Sequence, residues 1–452
     1  MRPRLRPRPR LGGRVARAEL GGVAGLVLVL ATMALVLVQN IAAQPKISYL
    51  DEAGHGDYLY QASHGGMAQL GERLGPEITR EMACRGVQTL PEPTTPCPGD
   101  GDPAKVPGWD YTTADVHPPT YYYVTAALGR AVLTVAPTDS LITAGRLVNI
   151  VWFGSGLVLL YLLLREVGAR VSARLAVCLL IALTPVMIQH MSVVSVTATA
   201  FPAAALLTLA AVRWERHRAL PVALVAAAVL CVALKADNLV PVLAVCGYLL
   251  VRAVVLRREG LARRYVAAAA AVALAAVVTE TVWLAVRQAV ALGGTLSNPG
   301  TVIFYRTELR PDDLFSQLFA LALPLGQVHP TLPLLGLGSL ALVAGYLGAM
   351  VHRPASDPIQ SWGMAVTAAA VFGAPLLVLG AYLGSSIVFP IPGRYGFGLA
   401  APMAMLLGVA LRTRLAALTL AVAVAALVVV GPVVPPTRTD GPPPAGTGLV
   451  PR

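Results

Sequence analysis

Apolar residues fill long stretches of this chain, and short segments rich in arginine separate many of them. A helix needs about 20 predominantly apolar residues to cross the hydrocarbon core of a bilayer. By that measure the pattern predicts an all-α polytopic membrane protein with about eleven transmembrane helices. The predicted spans cover residues 21–43, 142–164, 172–190, 193–213, 219–235, 238–256, 265–291, 331–351, 361–383, 395–411 and 415–435.

A further apolar stretch, residues 314–327, is short and includes a Pro-Leu-Gly break, so we predict an interfacial or re-entrant segment there. Counting it as a span would reverse the orientation of everything that follows. The charge pattern decides against this, because with the spans above all dense arginine clusters fall on one side, the cytoplasmic side by the positive-inside rule. These clusters lie at residues 2–17, 165–174, 213–218, 252–264, 352–353 and 412–414.

The long polar segment after the first span, residues 44–119, then lies outside the cytoplasm, and it holds 11 of the 23 acidic residues. Within and after it, residues 53–73 predict an amphipathic surface helix, and residues 120–137, which begin with three tyrosines, predict an interfacial helix. The end of the chain, 446–452, matches an engineered protease site. The predicted organisation is a cytoplasmic Arg/Pro-rich tail at 1–20, a transmembrane domain at 21–435 with an extracytoplasmic loop at 44–141, and a C-terminal tail at 436–452.

Composition supports the membrane assignment. Of the 452 residues 56% are hydrophobic and only 13% are charged, whereas a soluble domain is about one-quarter charged. The net charge of +12 does not indicate nucleic-acid binding, because the arginines flank apolar runs instead of forming a basic surface. The Ala-, Arg- and Val-rich usage is typical of a high-GC bacterium, so we expect a multi-pass protein of the bacterial inner (plasma) membrane.

The five cysteines fall into two groups. Cys178, Cys231 and Cys246 lie in apolar runs and are predicted to be packing residues. Cys84 and Cys97 share the polar loop, where an extracytoplasmic environment permits a disulfide worth about 3 kcal/mol. Two free thiols are the alternative.

Candidate chemistry begins with Asp51 and Glu52, which directly follow the first span, with His55 and Asp57 within about two helical turns. A partly desolvated carboxylate at a membrane interface can act as a general base for a sugar hydroxyl. An ordinary solvated helix end is the alternative interpretation.

Two further segments carry candidate residues. The prolines after His117 fix the backbone and position its side chain, and Arg394 lies on a Pro/Gly turn at the outer boundary, where a guanidinium can clamp a phosphate. For His117 the alternative is a merely rigid turn, and for Arg394 it is a side chain that extends toward the lipid headgroups. Lys235 is predicted at the same level, where it can hold a phosphate or simply pair with Asp237.

Other polar groups lie within the predicted spans. Glu280 and Arg287 are seven residues apart on one helix face, and we predict that they relieve each other's burial. Arg146, Asn149 and His190 also interrupt apolar runs.

Several common motifs are absent from the sequence. It has no P-loop, no dinucleotide fingerprint, no zinc-ligand spacing and no nucleophile elbow. An activated substrate therefore has to arrive by another route, and a lipid carrier in the membrane provides one.

Three motifs together resemble the GT-C superfamily of integral-membrane glycosyltransferases, which use polyprenyl-phosphate sugars. They are Asp51-Glu52-Ala53-Gly54-His55, His117-Pro118-Pro119-Thr120-Tyr121-Tyr122, and Gly393-Arg394-Tyr395. They are most similar to those of a largely uncharacterised bacterial branch, although here the first motif lacks its preceding proline and the third lacks its glutamine.

The resemblance implies roles for individual residues. Asp51 would be the catalytic base with Glu52 beside it, and the donor phosphate would be held by Arg394, His117 and Lys235. We expect supporting contacts to the substrate from His55, Tyr122, Tyr395 and Arg146. No metal ligand is assigned, and a divalent cation stays open as a cofactor.

The expected function is therefore inverting transfer of a sugar from a polyprenyl-phosphate carrier to a glycan or lipid acceptor of the cell envelope, on the extracytoplasmic face. A transporter or flippase of a polyprenyl-linked glycan is the alternative, and it predicts polar groups spread through the bilayer midplane. The sequence instead concentrates its polar motifs on one face. A non-catalytic scaffold is a third interpretation.

Overall fold

A computed structural model describes residues 13–48, 51–88, 97, 111–217, 221–292, 307–325, 337–351, 354, 356–385 and 387–430. Both predicted terminal tails lie largely outside these residues. Within the described ranges the secondary structure is helical, and β-pairing is limited to two isolated bridges. The helices are α1 (Gly13–Ala43), α2 (Glu52–Ser63), α3 (Pro76–Arg85), α4 (Thr120–Val135), α5 (Leu141–Glu166), α6 (Val171–Leu183), α7 (Pro185–Met191), α8 (Ala200–His217), α9 (Val222–Leu234), α10 (Leu239–Val255), α11 (Ala262–Ala289), α12 (Pro311–Phe315), α13 (Leu337–Val351), α14 (Pro358–Ser385), α15 (Phe397–Ala410) and α16 (Arg414–Val430).

Each predicted span coincides with a helix or with a pair of helices, so the all-α polytopic prediction is confirmed. Among the described residues, six helices are long and apolar enough to cross a membrane, and a bent pair raises this number to seven. Three shorter apolar helices, α9, α13 and α16, account for other predicted spans. The described helices therefore lie where the apolar runs predicted them, and six or seven of the predicted eleven spans are long enough to cross a membrane by themselves.

The predicted span at 172–190 is wrong as a single helix. It is divided into α6 and α7, which meet at an angle of 59°. Pro185 occupies the first turn of α7, and the preceding Thr184 is extended, with ψ at 126°. Proline disfavours the helical conformation of the residue before it and lacks an N–H, so the helix ends at this point and starts again.

Three of the arginine clusters, at residues 165–174, 213–218 and 252–264, meet at one end of the helix bundle. There they form ion pairs with acidic residues of neighbouring helices, which join α1 to α5 and α6, α5 to α8, and α8 to α10. This common location is what the charge pattern predicted for the cytoplasmic side. The pairs are Glu19–Arg165, Glu19–Arg174, Glu166–Arg213 and Glu215–Arg252.

The polar loop after α1 folds against the opposite end of the bundle. A disulfide joins Cys84, in α3, to Cys97. The surface helix predicted at 53–73 is wrong in length and position: α2 ends at Ser63, before a left-handed glycine at Gly65, and most of its residues are buried. This helix packs against α3, α4 and α5.

The apolar segment 314–327 does not form a membrane-crossing helix over its described part. Its chain leaves α12 at Phe315 and continues as a series of turns to Leu325. Leu321 and Leu325 are fully buried, whereas the side chains of Phe315 and Phe319 are exposed. The described part of the segment, residues 314–325, therefore packs against the protein and contains no membrane-crossing helix.

Candidate active site

Asp51 is the residue immediately before α2, and its backbone is left-handed, with φ at 61°. Only Asp51 and Phe319 have positive φ among the described non-glycine residues. Aspartate tolerates this conformation better than most residues, yet it still has a conformational cost that the surrounding structure must offset. The chain therefore turns sharply here, and neighbouring contacts hold Asp51 in place.

The neighbouring Glu52 is held by several contacts. Its carboxylate is fully buried and binds Arg146 of α5 through two hydrogen bonds, of 2.8 Å from Nε and 2.6 Å from Nη2. The same carboxylate accepts the backbone N–H groups of Ser48 and Val194 at 2.8 and 2.7 Å. Arg146 also donates to the carbonyls of Gln44 and Lys46. This network ties the end of α1, the start of α2, α5 and the 192–195 segment together.

Glu52 and Arg146, which were predicted to act in catalysis and substrate contact, bind each other and the backbone of the protein. Both carboxylate oxygens of Glu52 accept hydrogen bonds from the protein, and the guanidinium of Arg146 is 2% exposed. A buried charge is tolerated when it is paired and hydrogen-bonded in this way. The pair therefore anchors the start of α2, directly after Asp51.

Arg394 contacts Asp51 across 343 residues of sequence. Its Nη2 donates a hydrogen bond of 2.9 Å to Oδ2 of Asp51. The carboxylate of Asp51 is 46% exposed and Arg394 is 17% exposed, so both groups border open space. The structure therefore brings together the predicted base and the predicted phosphate ligand.

Lys235 lies against the ring of Tyr395, the residue that follows Arg394. The lysine ends α9, is 2% exposed, and has its Nζ 4.3 Å from the centre of the Tyr395 ring, while Arg394 lies 5.9 Å from the same ring. Its Nζ is also 3.3 Å from Oδ2 of Asp237, so the predicted local pair is present as well. Two cations thus share one aromatic ring, which concentrates positive charge beside Asp51.

Two histidines line the site next to these cations. Nδ1 of His55 lies 2.6 Å from the hydroxyl of Tyr122, and the ring of His117 stacks on His55 with centres 5.6 Å apart. Burial lowers the pKa of both histidines well below the usual value, and the charges of Lys235 and Arg394 lower it further. Both rings are therefore neutral at pH 7.

His117 has its Nδ1 buried without a hydrogen-bond partner among the described residues. The turn that carries it is fixed to α11 by Arg287, whose Nε and Nη2 both bind Oδ2 of Asp115, and by the indole N–H of Trp283, which donates to the carbonyl of Val116. Arg287 forms no direct ion pair with Glu280 among the described contacts, although its charge still acts on Glu280. Arg287 pairs with Asp115, since the loop folds over the end of α11, which helical spacing alone does not reveal.

Sequence reasoning also left His190 unassigned. This residue ends α7 and is 6% exposed, and its ring packs edge-on against Phe397 at the start of α15, with centres 5.2 Å apart. Arg394 and Lys235 act on it electrostatically, so it lies near the same two cations. An isolated histidine inside an apolar run was the only available signal.

The described residues contain no group of three or more His, Cys, Asp or Glu side chains arranged to hold a metal ion. The carboxylates nearest the site, Asp51 and Asp237, each pair with a cation of the protein. What the site offers is a half-exposed carboxylate beside a cluster of cations and neutral imidazoles. This set suits an anionic ligand that carries a reacting group.

Asp57 lies about one and a half turns after Asp51, and we expect it to make the free energy of unfolding depend on pH. It is 1% exposed and accepts hydrogen bonds from Gly75 N and the Gln61 amide, but burial raises its pKa to about 7. The folded protein then binds a proton that the unfolded chain releases near pH 4, so stability is greatest at low pH and falls by up to about 4 kcal/mol as pH rises to 7.

We expect the Asp57→Asn variant to flatten this part of the profile. The measurement is the thermal unfolding midpoint in detergent from pH 5 to 8, with the exposed Asp312→Asn as matched control. Wild type and Asp312→Asn should lose stability as pH rises, and Asp57→Asn should lose less. Parallel profiles for all three proteins would contradict the assignment to Asp57.

Comparison with known proteins gives a structural likeness. No family model matches the chain, and no curated protein matches it by sequence. The crystal structure of ArnT from Cupriavidus metallidurans bound to undecaprenyl phosphate superposes with a TM-score of 0.51 at 15% identity, covering 91% of this chain and 65% of ArnT. The apo structure of the same protein gives a TM-score of 0.47 at 17% identity, covering 86% of this chain and 60% of that one.

At 15% identity this likeness shows the fold alone: the helices of this chain are arranged as in ArnT. The chain spans 65% of the length of that ArnT structure, so about a third of ArnT has no counterpart in it. The roles of the individual site residues stay predictions.

Proposed function

We propose that this protein transfers a sugar from a polyprenyl-phosphate carrier to a glycan or lipid acceptor of the cell envelope, on the extracytoplasmic face and with inversion. The observation that carries the proposal is the contact between Asp51 and Arg394 at 2.9 Å, beside the buried Lys235. A base and a phosphate-binding cation stand side by side there. The fold supports the proposal, since the ArnT crystal structure with which this chain superposes is bound to undecaprenyl phosphate.

The carrier phosphate binds the cationic side of the site. Arg394 and Lys235 are its main ligands, and a guanidinium binds phosphate oxygens through strong charge-assisted hydrogen bonds. The rings of His117 and His190 line the same region and exclude water from it. The polyprenyl tail extends from there into the membrane.

Arg394 cannot hold both Asp51 and a phosphate with the same N–H groups. When the phosphate binds, it competes with Asp51 for the guanidinium and frees the carboxylate. The base is then available when the donor is present.

Asp51 takes the proton of the acceptor hydroxyl, and the acceptor oxygen attacks the anomeric carbon from the face opposite the phosphate. The bond between that carbon and the phosphate oxygen breaks, and its electron pair leaves with the carrier phosphate. Arg394 and Lys235 stabilise the charge that develops on the leaving oxygen, which is usually the largest contribution to such a rate. Glu52 and Arg146 take no part in bond making and hold Asp51 in its left-handed conformation.

The test is transfer of radiolabel from polyprenyl-phosphate pentose and hexose donors to envelope acceptors by the purified protein. We expect Arg394→Ala to lower the rate about 10²-fold or more, because it removes a charged donor from the leaving phosphate. The matched control is Arg310→Ala, a 61% exposed arginine of the segment before α12, which should leave the rate unchanged.

Failure of every donor, with a folded protein, would contradict the proposed transfer. Movement of a labelled polyprenyl-linked glycan across vesicle membranes without sugar transfer would favour the transporter. The polar site residues meet at the bundle end opposite the arginine clusters, which agrees with an enzyme better than with a path through the membrane.

A further inference from the structure

The backbone that leads to Arg394 has an unusual shortage of hydrogen-bond donors. Residues 390–392 read Pro-Ile-Pro, and proline has no backbone N–H. Ile391 therefore supplies the only backbone donor of these three residues, three positions before Arg394. Its side chain is 7% exposed, so this donor needs a partner within the protein.

Gln317 provides that partner. Its Oε1 accepts the N–H of Ile391 at 3.0 Å, across 74 residues of sequence. Gln317 follows α12, and its own backbone is held in a turn by hydrogen bonds from Gln317 N to Leu314 and from Ala320 N to Gln317. The side chain that fixes the Pro-Ile-Pro segment therefore comes from a defined turn.

The same segment also supports the turn that carries Arg394. A side chain at Gly396 would come within 3.1 Å of Cα of Pro324 and 3.2 Å of the carbonyl oxygen of Leu321. Leu321 is fully buried, so this surface has little freedom to move. The 393–396 turn thus rests directly on residues 320–324.

The supporting segment is shaped by its own contacts. Phe319 has φ at 66°, a strained conformation for a bulky residue, and it redirects the chain under the Arg394 turn. Farther on, Leu325 N donates to the hydroxyl of Ser339, a fully buried residue of α13. Residues 317–325 therefore support the 393–396 turn that carries Arg394.

We propose that Gln317 is a positioning residue for the carrier phosphate. It contacts no substrate. By satisfying the N–H of Ile391 it fixes the Pro-Ile-Pro segment, and so it sets the direction from which the guanidinium of Arg394 meets the phosphate. This role rests on the proposed function, in which Arg394 is a phosphate ligand.

Binding of undecaprenyl phosphate to the purified full-length protein tests the role without knowledge of the transferred sugar. We expect Gln317→Ala to weaken binding about tenfold, the size of one lost hydrogen bond to a buried donor. Gln317→Glu restores the acceptor and should bind more tightly than Gln317→Ala despite its added charge. The exposed Gln288→Ala on α11 is the matched control and should bind like wild type.

A double-mutant cycle with Arg394→Ala separates positioning from general destabilisation. If Gln317 acts through Arg394, Gln317→Ala should cause no further loss of binding once Arg394 is removed. Two results would overturn the positioning role. One is a double variant whose loss of binding equals the product of the two single losses. The other is wild-type binding by Gln317→Ala while Arg394→Ala binds weakly. Wild-type binding by Arg394→Ala would instead overturn the phosphate role on which it rests, so the two failures are distinguishable.

Discussion

Asp51→Asn is expected to lower sugar transfer by about 10²- to 10⁴-fold, the usual contribution of a positioned general base. Asparagine has nearly the same shape and tolerates the left-handed backbone that residue 51 adopts, with φ at 61°. The substitution therefore removes the proton acceptor with little change in structure. It also removes the negative charge that pairs with Arg394 at 2.9 Å.

The same variant should bind undecaprenyl phosphate at least as tightly as wild type, because the phosphate no longer competes with a carboxylate for Arg394. Transfer is measured with a labelled donor, and binding is measured separately with the lipid alone. Asp312→Asn, an exposed aspartate outside the site, serves as control for both measurements.

These two measurements separate the roles that one carboxylate can have. Loss of transfer with retained or tighter binding is the result for a base. Loss of both would instead indicate that Asp51 holds Arg394 in position and that the ion pair is structural. Unchanged transfer would remove Asp51 from the mechanism.

The positions of the helices could be predicted from the sequence because each span requires a long apolar run, which is visible without knowledge of the fold. The break at Thr184 was missed, although Pro185 was visible, because apolar residues continue on both sides of it. The orientation was predicted from the arginine clusters, and three of them, at residues 165–174, 213–218 and 252–264, meet at one end of the bundle.

The site could be predicted only in part. Asp51 and Arg394 were brought together by motif resemblance and predicted sidedness, and the structure places them in contact. The partners of buried charges could not be found in this way, because Arg287 lies 172 residues from Asp115. Helical spacing indicated Glu280 as the partner of Arg287, because such spacing relates only residues that are close in sequence.

Glu52 shows the same limit, and it gives the prediction with the largest expected effect on stability. Its carboxylate and Arg146 are 94 residues apart in sequence, and both side chains are almost completely buried. Removal of one partner of a buried ion pair leaves an uncompensated charge and typically costs about 3–5 kcal/mol. Glu52→Ala also deprives the N–H groups of Ser48 and Val194 of their acceptor. We therefore expect most of this variant to be unfolded or poorly expressed.

Glu52→Gln distinguishes a structural role from a catalytic one. It keeps the shape and the oxygen acceptor of the side chain but loses the charge that balances Arg146. We expect a lowered thermal unfolding midpoint in detergent and a transfer rate that falls only in proportion to the folded fraction. Glu308→Gln removes one partner of an exposed pair, with side chains 82% and 61% exposed, and should change the midpoint little. A Glu52→Gln protein of wild-type stability that does not transfer sugar would return Glu52 to the catalytic role, because stability would then no longer account for the loss.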